Sequence, residues 1–136
     1  MNKKIIGVIS VVALIILSFI LFTNFNVTDP RILKQTFVID AVYFEDNGFV
    51  EISFHDTSNK TNHVTLEILG MAESFHKTYD SSSFVEKIVF TSVPKYGWQS
   101  IPVTFLVEHE EFGKIGIKTE IRPIGENPAT IIFSKL

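Results

Sequence analysis

The pattern of apolar and polar positions divides the chain into two unlike parts. From Ile5 to Phe22 it is interrupted only by Gly7, Ser10 and Ser18, and Lys3 and Lys4 stand immediately before it. As a helix this run is ~27 Å long, or ~31 Å if it continues to Phe25, which matches a hydrocarbon core of ~30 Å. A cleaved signal peptide has a shorter apolar region of about 7 to 15 residues, ending in an A-x-A-like site. Leu21-Phe22-Thr23-Asn24-Phe25 offers no such site. The expectation is therefore a cytoplasmic tail over residues 1–4 and a retained transmembrane signal-anchor helix over 5–25, in contact with a lipid bilayer. A polar, turn-rich stretch ending in Asp29-Pro30 follows, and residues 26–35 read as a tether.

Beyond the tether the dominant period is two rather than 3.6, so strands are expected over most of residues 36–136. Thr36–Phe44 and Phe49–His55 flank Asn47-Gly48, the strongest short hairpin signal, because a type I′ turn needs positive φ at both central residues. With that turn the numbers of opposed residues sum to 95, so Ala41 faces Phe54 and Tyr43 faces Ile52. His63–Leu69 alternates with Val64, Leu66 and Ile68 on one face. Phe84–Phe90 is apolar on both faces, as in a central or partner-covered strand. Val103–His109 and Lys114–Arg122 form a further hairpin around Glu110-Glu111-Phe112-Gly113, with Ile115, Ile117 and Ile121 inward. Thr130–Ser134 comes last, and the segment around Phe75 and Tyr79 has no clear period. About seven strands separated by turns imply an antiparallel two-sheet β-sandwich, which resembles the immunoglobulin-like or fibronectin-III-like class. Trp98 falls between strands.

Composition changes this picture little. The chain is 46% hydrophobic with mean hydropathy +0.27, an excess concentrated in the leader. From Pro30 onward ten Lys/Arg against fourteen Asp/Glu leave a net charge of −4, with no basic run. Nucleic-acid binding, which needs a cationic footprint, is disfavoured. The absence of cysteine removes disulfides, thiol nucleophiles, iron–sulfur ligation and a lipoprotein anchor. Orientation is closely balanced, with Lys3 and Lys4 on one flank of the helix and Arg31 and Lys34 on the other; the free amino terminus tips it towards N-terminus inside and an extracytoplasmic β domain. Two acceptor sequons, at Asn26 and Asn59, agree with that placement.

Candidate chemistry is sparse. The first hairpin's register opposes Asp40 to His55, and a simple hairpin onward would oppose His55 to His63. Two imidazoles and a carboxylate with Cβ atoms ~5 Å apart can bind a divalent metal, zinc, copper or non-haem iron. Against it, the same register opposes Glu51 to Glu67, and an immunoglobulin topology would place the second and third strands in different sheets. Glu108-His109-Glu110-Glu111 reads as a solvated turn lacking calcium-loop spacing, and His76 as an exposed residue without an evident partner. Ser81–Ser83 follow Asp80 without a G-x-S-x-G elbow, and no glycine loop cradles phosphate. No catalytic constellation, cofactor or small-molecule substrate is expected. Phe44, Phe49, Tyr96, Trp98 and Phe112 are candidates for an exposed partner-binding patch, or alternatively for covering the ends of the core.

The expectation is a non-enzymatic, membrane-anchored extracytoplasmic interaction module that serves as an accessory or structural subunit of a larger membrane-protein or cell-envelope complex. The alternatives are a periplasmic-type metal-binding domain using Asp40, His55 and His63, and a pilin-like filament subunit. The pilin reading departs from its pattern, because the apolar stretch has no acidic residue and no clear processing site follows Lys4.

Overall fold

A computed structural model describes residues 3–24 and 29–136. Helix α1 (Lys3–Asn24) is long and apolar enough to cross a membrane: its 18-residue window Lys3–Ile20 has a mean hydropathy of 2.3 and none of it is buried against the rest of the protein. The two serines are satisfied within the helix, since the Ser10 hydroxyl donates to the Ile6 carbonyl at 3.0 Å and that of Ser18 to the Leu14 carbonyl at 2.8 Å. An apolar solvent therefore meets no free hydroxyl at these two positions.

Of the tether expected over 26–35, residues 26–28 lie outside the described residues, and the remainder is not loose. Helix α2 (Pro30–Thr36) starts at the Asp29 cap, whose carboxylate accepts from the Arg31 backbone N–H at 2.9 Å, with Pro30 in the first helical turn, where its missing N–H costs nothing. Leu33 on α2 joins the core.

Nine strands follow: β1 (Phe37–Phe44), β2 (Phe49–Asp56), β3 (Thr61–Ile68), β4 (Phe75–Tyr79), β5 (Ser83–Val89), β6 (Val103–His109), β7 (Gly113–Thr119), β8 (Arg122–Pro123) and β9 (Ile132–Lys135). They form two sheets, ordered β5-β2-β1-β8 and β4-β3-β6-β7-β9. All pairings are antiparallel except the short parallel contact of β1 with β8. The protein is mainly β, with two packed sheets and an N-terminal apolar helix.

Alternation builds the core. Val50, Ile52 and Phe54 of β2 meet Val64, Leu66 and Ile68 of β3 and Val103, Phe105 and Val107 of β6, each at most 1% exposed. The Phe54 and Phe105 rings lie 5.8 Å apart. Along one side the sandwich is shut by Tyr79 of β4 stacked on Phe84 of β5 at 3.7 Å, with the Tyr79 hydroxyl donating to Glu86. Trp98, outside the strands, sits on a single 3₁₀ turn and caps the far end against Tyr43 at 4.8 Å and Phe90 at 5.7 Å.

Four expectations are corrected. The first hairpin pairs Phe44 with Phe49 and Ala41 with Ile52, so opposed numbers sum to 93, not 95. Glu45–Gly48 form a four-residue loop closed by the Gly48 N–H on the Phe44 carbonyl at 2.9 Å, and only Gly48, at φ 67°, is left-handed, so the two-residue type I′ turn does not form. Because the shift is two residues, every side chain keeps its face. Phe84–Phe90 is not central: β5 is the edge of its sheet, with Val85 60% and Val89 74% exposed. The strand expected to run through Arg122 stops at Thr119, and the chain crosses to the other sheet over buried Ile121 so that Arg122 and Pro123 pair with Val42 and Tyr43. Finally, the segment around Phe75 is itself a strand. Its period is masked because Lys77 occupies a core-side position and escapes along the sheet edge to Glu86, 3.1 Å away.

Gly70 marks the tightest backbone approach. Its φ is +84°, and a Cβ there would lie 2.3 Å from the Ser100 carbonyl oxygen.

Truncating the central ring, Phe54→Ala, should lower the unfolding free energy by about 3–5 kcal/mol. Val38→Ala, on the exposed face of β1, should change it by no more than about 0.5 kcal/mol. Urea titration in micelles, followed by the fluorescence of the single tryptophan, measures both.

Candidate functional site

The polar row expected from Asp40, His55 and His63 is not assembled. The corrected register sets Asp40 opposite Ser53, and His55 opposite Val38 and Ser83. β3, which carries His63, belongs to the other sheet. Each residue has other company. Asp40 takes a two-point hydrogen bond from the Arg122 guanidinium, Nε to Oδ1 at 3.0 Å and Nη2 to Oδ2 at 2.7 Å, which raises the Arg122 pKa and pins β8 to the sheet. His63 Nδ1 contacts the Asp80 carboxylate across an exposed surface. His55 is exposed at the end of β2. Among the described residues no group of three or more His, Asp or Glu side chains is placed to hold a metal ion. His76, for which no partner was evident, lies 3.4 Å from Glu67 across the β3–β4 pair.

The most organised polar cluster is one the sequence did not suggest. Asp56, at the end of β2, and His109, at the end of β6, are 1% and 4% exposed. Asp56 Oδ1 accepts from the Ser58 N–H at 2.8 Å and the Ser58 hydroxyl at 2.6 Å, while Oδ2 accepts from the Lys60 N–H at 3.0 Å and the Thr61 hydroxyl at 2.7 Å. Burial alone would raise the Asp56 pKa. The hydrogen bonds from Ser58, Thr61 and Lys60 outweigh it and hold the carboxylate at about 2.

His109 completes the cluster and reveals its protonation. Its Nδ1 accepts from the Glu111 and Phe112 backbone N–H groups at 3.1 and 3.2 Å, so that nitrogen carries no proton. The proton therefore sits on Nε2, which is 3.2 Å from Asp56 Oδ2 and 3.0 Å from the Ser58 hydroxyl. The imidazole is stacked on Phe112 at 4.5 Å and meets Phe37 edge-on at 5.5 Å.

Ser58, His109 and Asp56 thus touch one another, yet the arrangement cannot activate the serine. A nucleophilic triad needs an unprotonated ring nitrogen facing the hydroxyl and the carboxylate on the opposite nitrogen. Here both Ser58 and Asp56 face the protonated nitrogen, and the other is committed to the backbone. The cluster ties the β2–β3 turn to the β6–β7 turn. His109, expected in a solvated acidic tip, is buried, while Glu111 of that tip pairs with Lys60 at 3.3 Å.

The five aromatic candidates separate. Trp98 and Phe112 pack against the core at opposite ends of the sandwich. Tyr96 is 74% exposed beside Trp98. Phe44 and Phe49 pair at 5.1 Å on the outer face of the β5-β2-β1-β8 sheet; Phe49 opposes exposed Val89 on β5, and Lys87 Nζ lies 5.0 Å from the Phe49 ring. The structure brings together Phe44, Phe49 and Val89, not the whole set of five.

Backbone geometry adds to this surface. At the two ends of the β2–β5 ladder the Asp56 N–H donates to the Ser82 carbonyl at 2.8 Å and the Phe90 N–H to the Gly48 carbonyl at 2.9 Å. Direction alternates along an antiparallel ladder, so the backbone groups of Ser83, Val85, Lys87 and Val89 point away from the sheet. Those of Ser83 are taken by the Ser81 hydroxyl. Among the described residues nothing pairs with the backbone of Val85, Lys87 and Val89, which form an open edge.

On the other sheet a shallow groove of about 510 Å³ runs over His63, Thr65, Asp80, Leu106, Glu108 and Lys114. Of the two sequons, Asn26 lies outside the described residues. Asn59 is exposed in the β2–β3 turn at φ 57°, and Thr61 of its sequon is buried on Asp56.

No protein-family model matches the chain, and neither a curated protein nor a solved structure does. Its function is therefore argued from its own geometry.

The Asp56 pKa is lowered in the folded state, so the stability it contributes is present above the unfolded value of 3.8 and is lost as pH falls through the folded value of about 2. Acid titration followed by circular dichroism should show about 2 kcal/mol of stability disappearing between those limits. In Asp56→Ala, which leaves the surrounding buried donors unanswered, that step should vanish, and stability at neutral pH should fall by about 3 kcal/mol.

Proposed function

We propose that this chain is a membrane-anchored interaction module whose β domain lies outside the cytoplasm, acting as an accessory or structural subunit of a larger membrane-protein or envelope complex. The observation that carries the reading is the open β5 edge, with exposed Val85 and Val89, continuous with Phe49 and Phe44 on the adjoining face. An edge of this kind presents unpaired N–H and C=O groups, and proteins ordinarily shorten, charge or cover such edges. Lys87 provides one charge here, and two exposed valines flank it. A partner that adds an extended strand satisfies the backbone and covers the valines together. The anchoring part of the proposal draws support from the length and apolarity of α1.

The domain itself we assign to the immunoglobulin-like or fibronectin-III-like class. The grouping of the first, second and fifth strands in one sheet and of the third, sixth and seventh in the other supports that assignment. The fourth strand pairs with the third rather than the fifth. The short β8 and β9 extend the two sheets at the opposite side.

Because the Val85 N–H points away from β2, Val85→Pro removes no ladder hydrogen bond, and proline is tolerated at such edge positions. Full-length wild-type protein, gently solubilised from its native membranes, should migrate on native gels in a complex larger than its monomer. Val85→Pro and the pair Phe49→Ser, Val89→Ser should release the monomer with thermal stability nearly unchanged. A wild-type protein that is already monomeric in native membranes would sink the proposal.

A further inference from the structure

We infer that the end of the β domain next to the anchor is seated on the anionic headgroup layer of the bilayer through Arg31, Ile32 and Lys34 of α2. The inference rests on α1 spanning that bilayer, and it specifies which surface of the domain meets lipid. Asn24 ends α1 and Asp29 caps α2; five Cα–Cα steps separate them, so the cap lies at most ~19 Å from the end of the spanning helix. The base of the domain is thus confined to the neighbourhood of the headgroups whatever path the intervening residues take.

α2 cannot swing independently of the sandwich. Leu33 is buried in the core, the Thr57 N–H donates to the Thr36 carbonyl at 2.8 Å, and the Thr57 hydroxyl donates to the same carbonyl at 3.0 Å. With Leu33 and Thr36 turned inward, Arg31, Ile32, Lys34 and Gln35 are left exposed.

The chemistry of this exposed side fits a lipid surface. Among the described residues neither Arg31 nor Lys34 has a side-chain partner, and Ile32 between them is 49% exposed. The nearest acid in sequence, Asp29, is engaged as the helix cap, and Glu111 at this end is answered by Lys60. Glu110 is the remaining carboxylate of the β6–β7 turn. Two unanswered cations flanking one aliphatic side chain match phosphate oxygens above and interfacial carbons below. A protein partner would cover the same side chains, but nothing holds one within reach as the covalent link holds the bilayer.

The chain has no cysteine, so a single label can be placed at will. Full-length protein carrying Ile32→Cys or Tyr96→Cys, each labelled with a fluorophore, is reconstituted in phosphatidylcholine vesicles with or without phosphatidylglycerol. Quenching is read with a lipid spin-labelled near the headgroup. The label at 32 should be strongly quenched in the anionic vesicles and the label at 96 should not. Adding Arg31→Gln and Lys34→Gln should reduce the seated-to-free ratio at least about tenfold, and so should omitting phosphatidylglycerol. Equal, weak quenching at both positions in a chain that resists carbonate extraction overturns the seating, as does strong quenching at 32 that ignores charge on either side. A chain that carbonate releases overturns the spanning reading instead.

Discussion

A carboxylate with almost no exposed surface can remain ionised only if donors surround it, and at Asp56 they do. Four come from the turn that immediately follows, at Ser58, Lys60 and Thr61, and a fifth is His109 at the end of a strand in the other sheet. Burying charge without such partners would cost several kcal/mol. The strands must therefore end where they do, and the chain must cross between sheets at this turn. His109 passes the constraint on, because its second nitrogen holds the β6–β7 turn and its ring lies between Phe37 and Phe112. Phe37 follows directly on α2, so one ionised group organises the whole end of the domain nearest the anchor.

The two ends consequently differ in kind. The end next to α2 is knotted by hydrogen bonds. The opposite end is closed by Trp98, Phe90 and Tyr43, which need only apolar contact, and beside it lie Phe44, Phe49 and Val89. Fixed polar structure thus stands at the α2 end and exposed apolar side chains at the other.

Much of the fold was legible in the sequence because burial enforces period two. Val64, Leu66 and Ile68 could not have been mistaken, and the first hairpin kept its faces even though its turn was misread. Asn47-Gly48 suggested two left-handed residues, but the Gly48 N–H reaches back to Phe44 and only the glycine adopts that conformation. The two-residue slip then removed the Asp40–His55 pairing on which the metal reading rested. β4 escaped notice because Lys77 sits at a core-side position, an exception that only the neighbouring Glu86 makes tolerable. Asp56 falls just past the strand expected over Phe49–His55, and nothing local distinguishes a buried aspartate from an exposed one. Its one sequence signal was the run of turn donors, Ser58 and Thr61, closely following it. Phe84–Phe90 is apolar on both faces, but a single sequence cannot separate a strand inside a sheet from one at its edge.

β1 leaves α2 without a break and is bonded along its full length to β2. Tension arriving through α2 would therefore enter the ladder at Phe37, the end farthest from the hairpin loop, with no loop in between to absorb it.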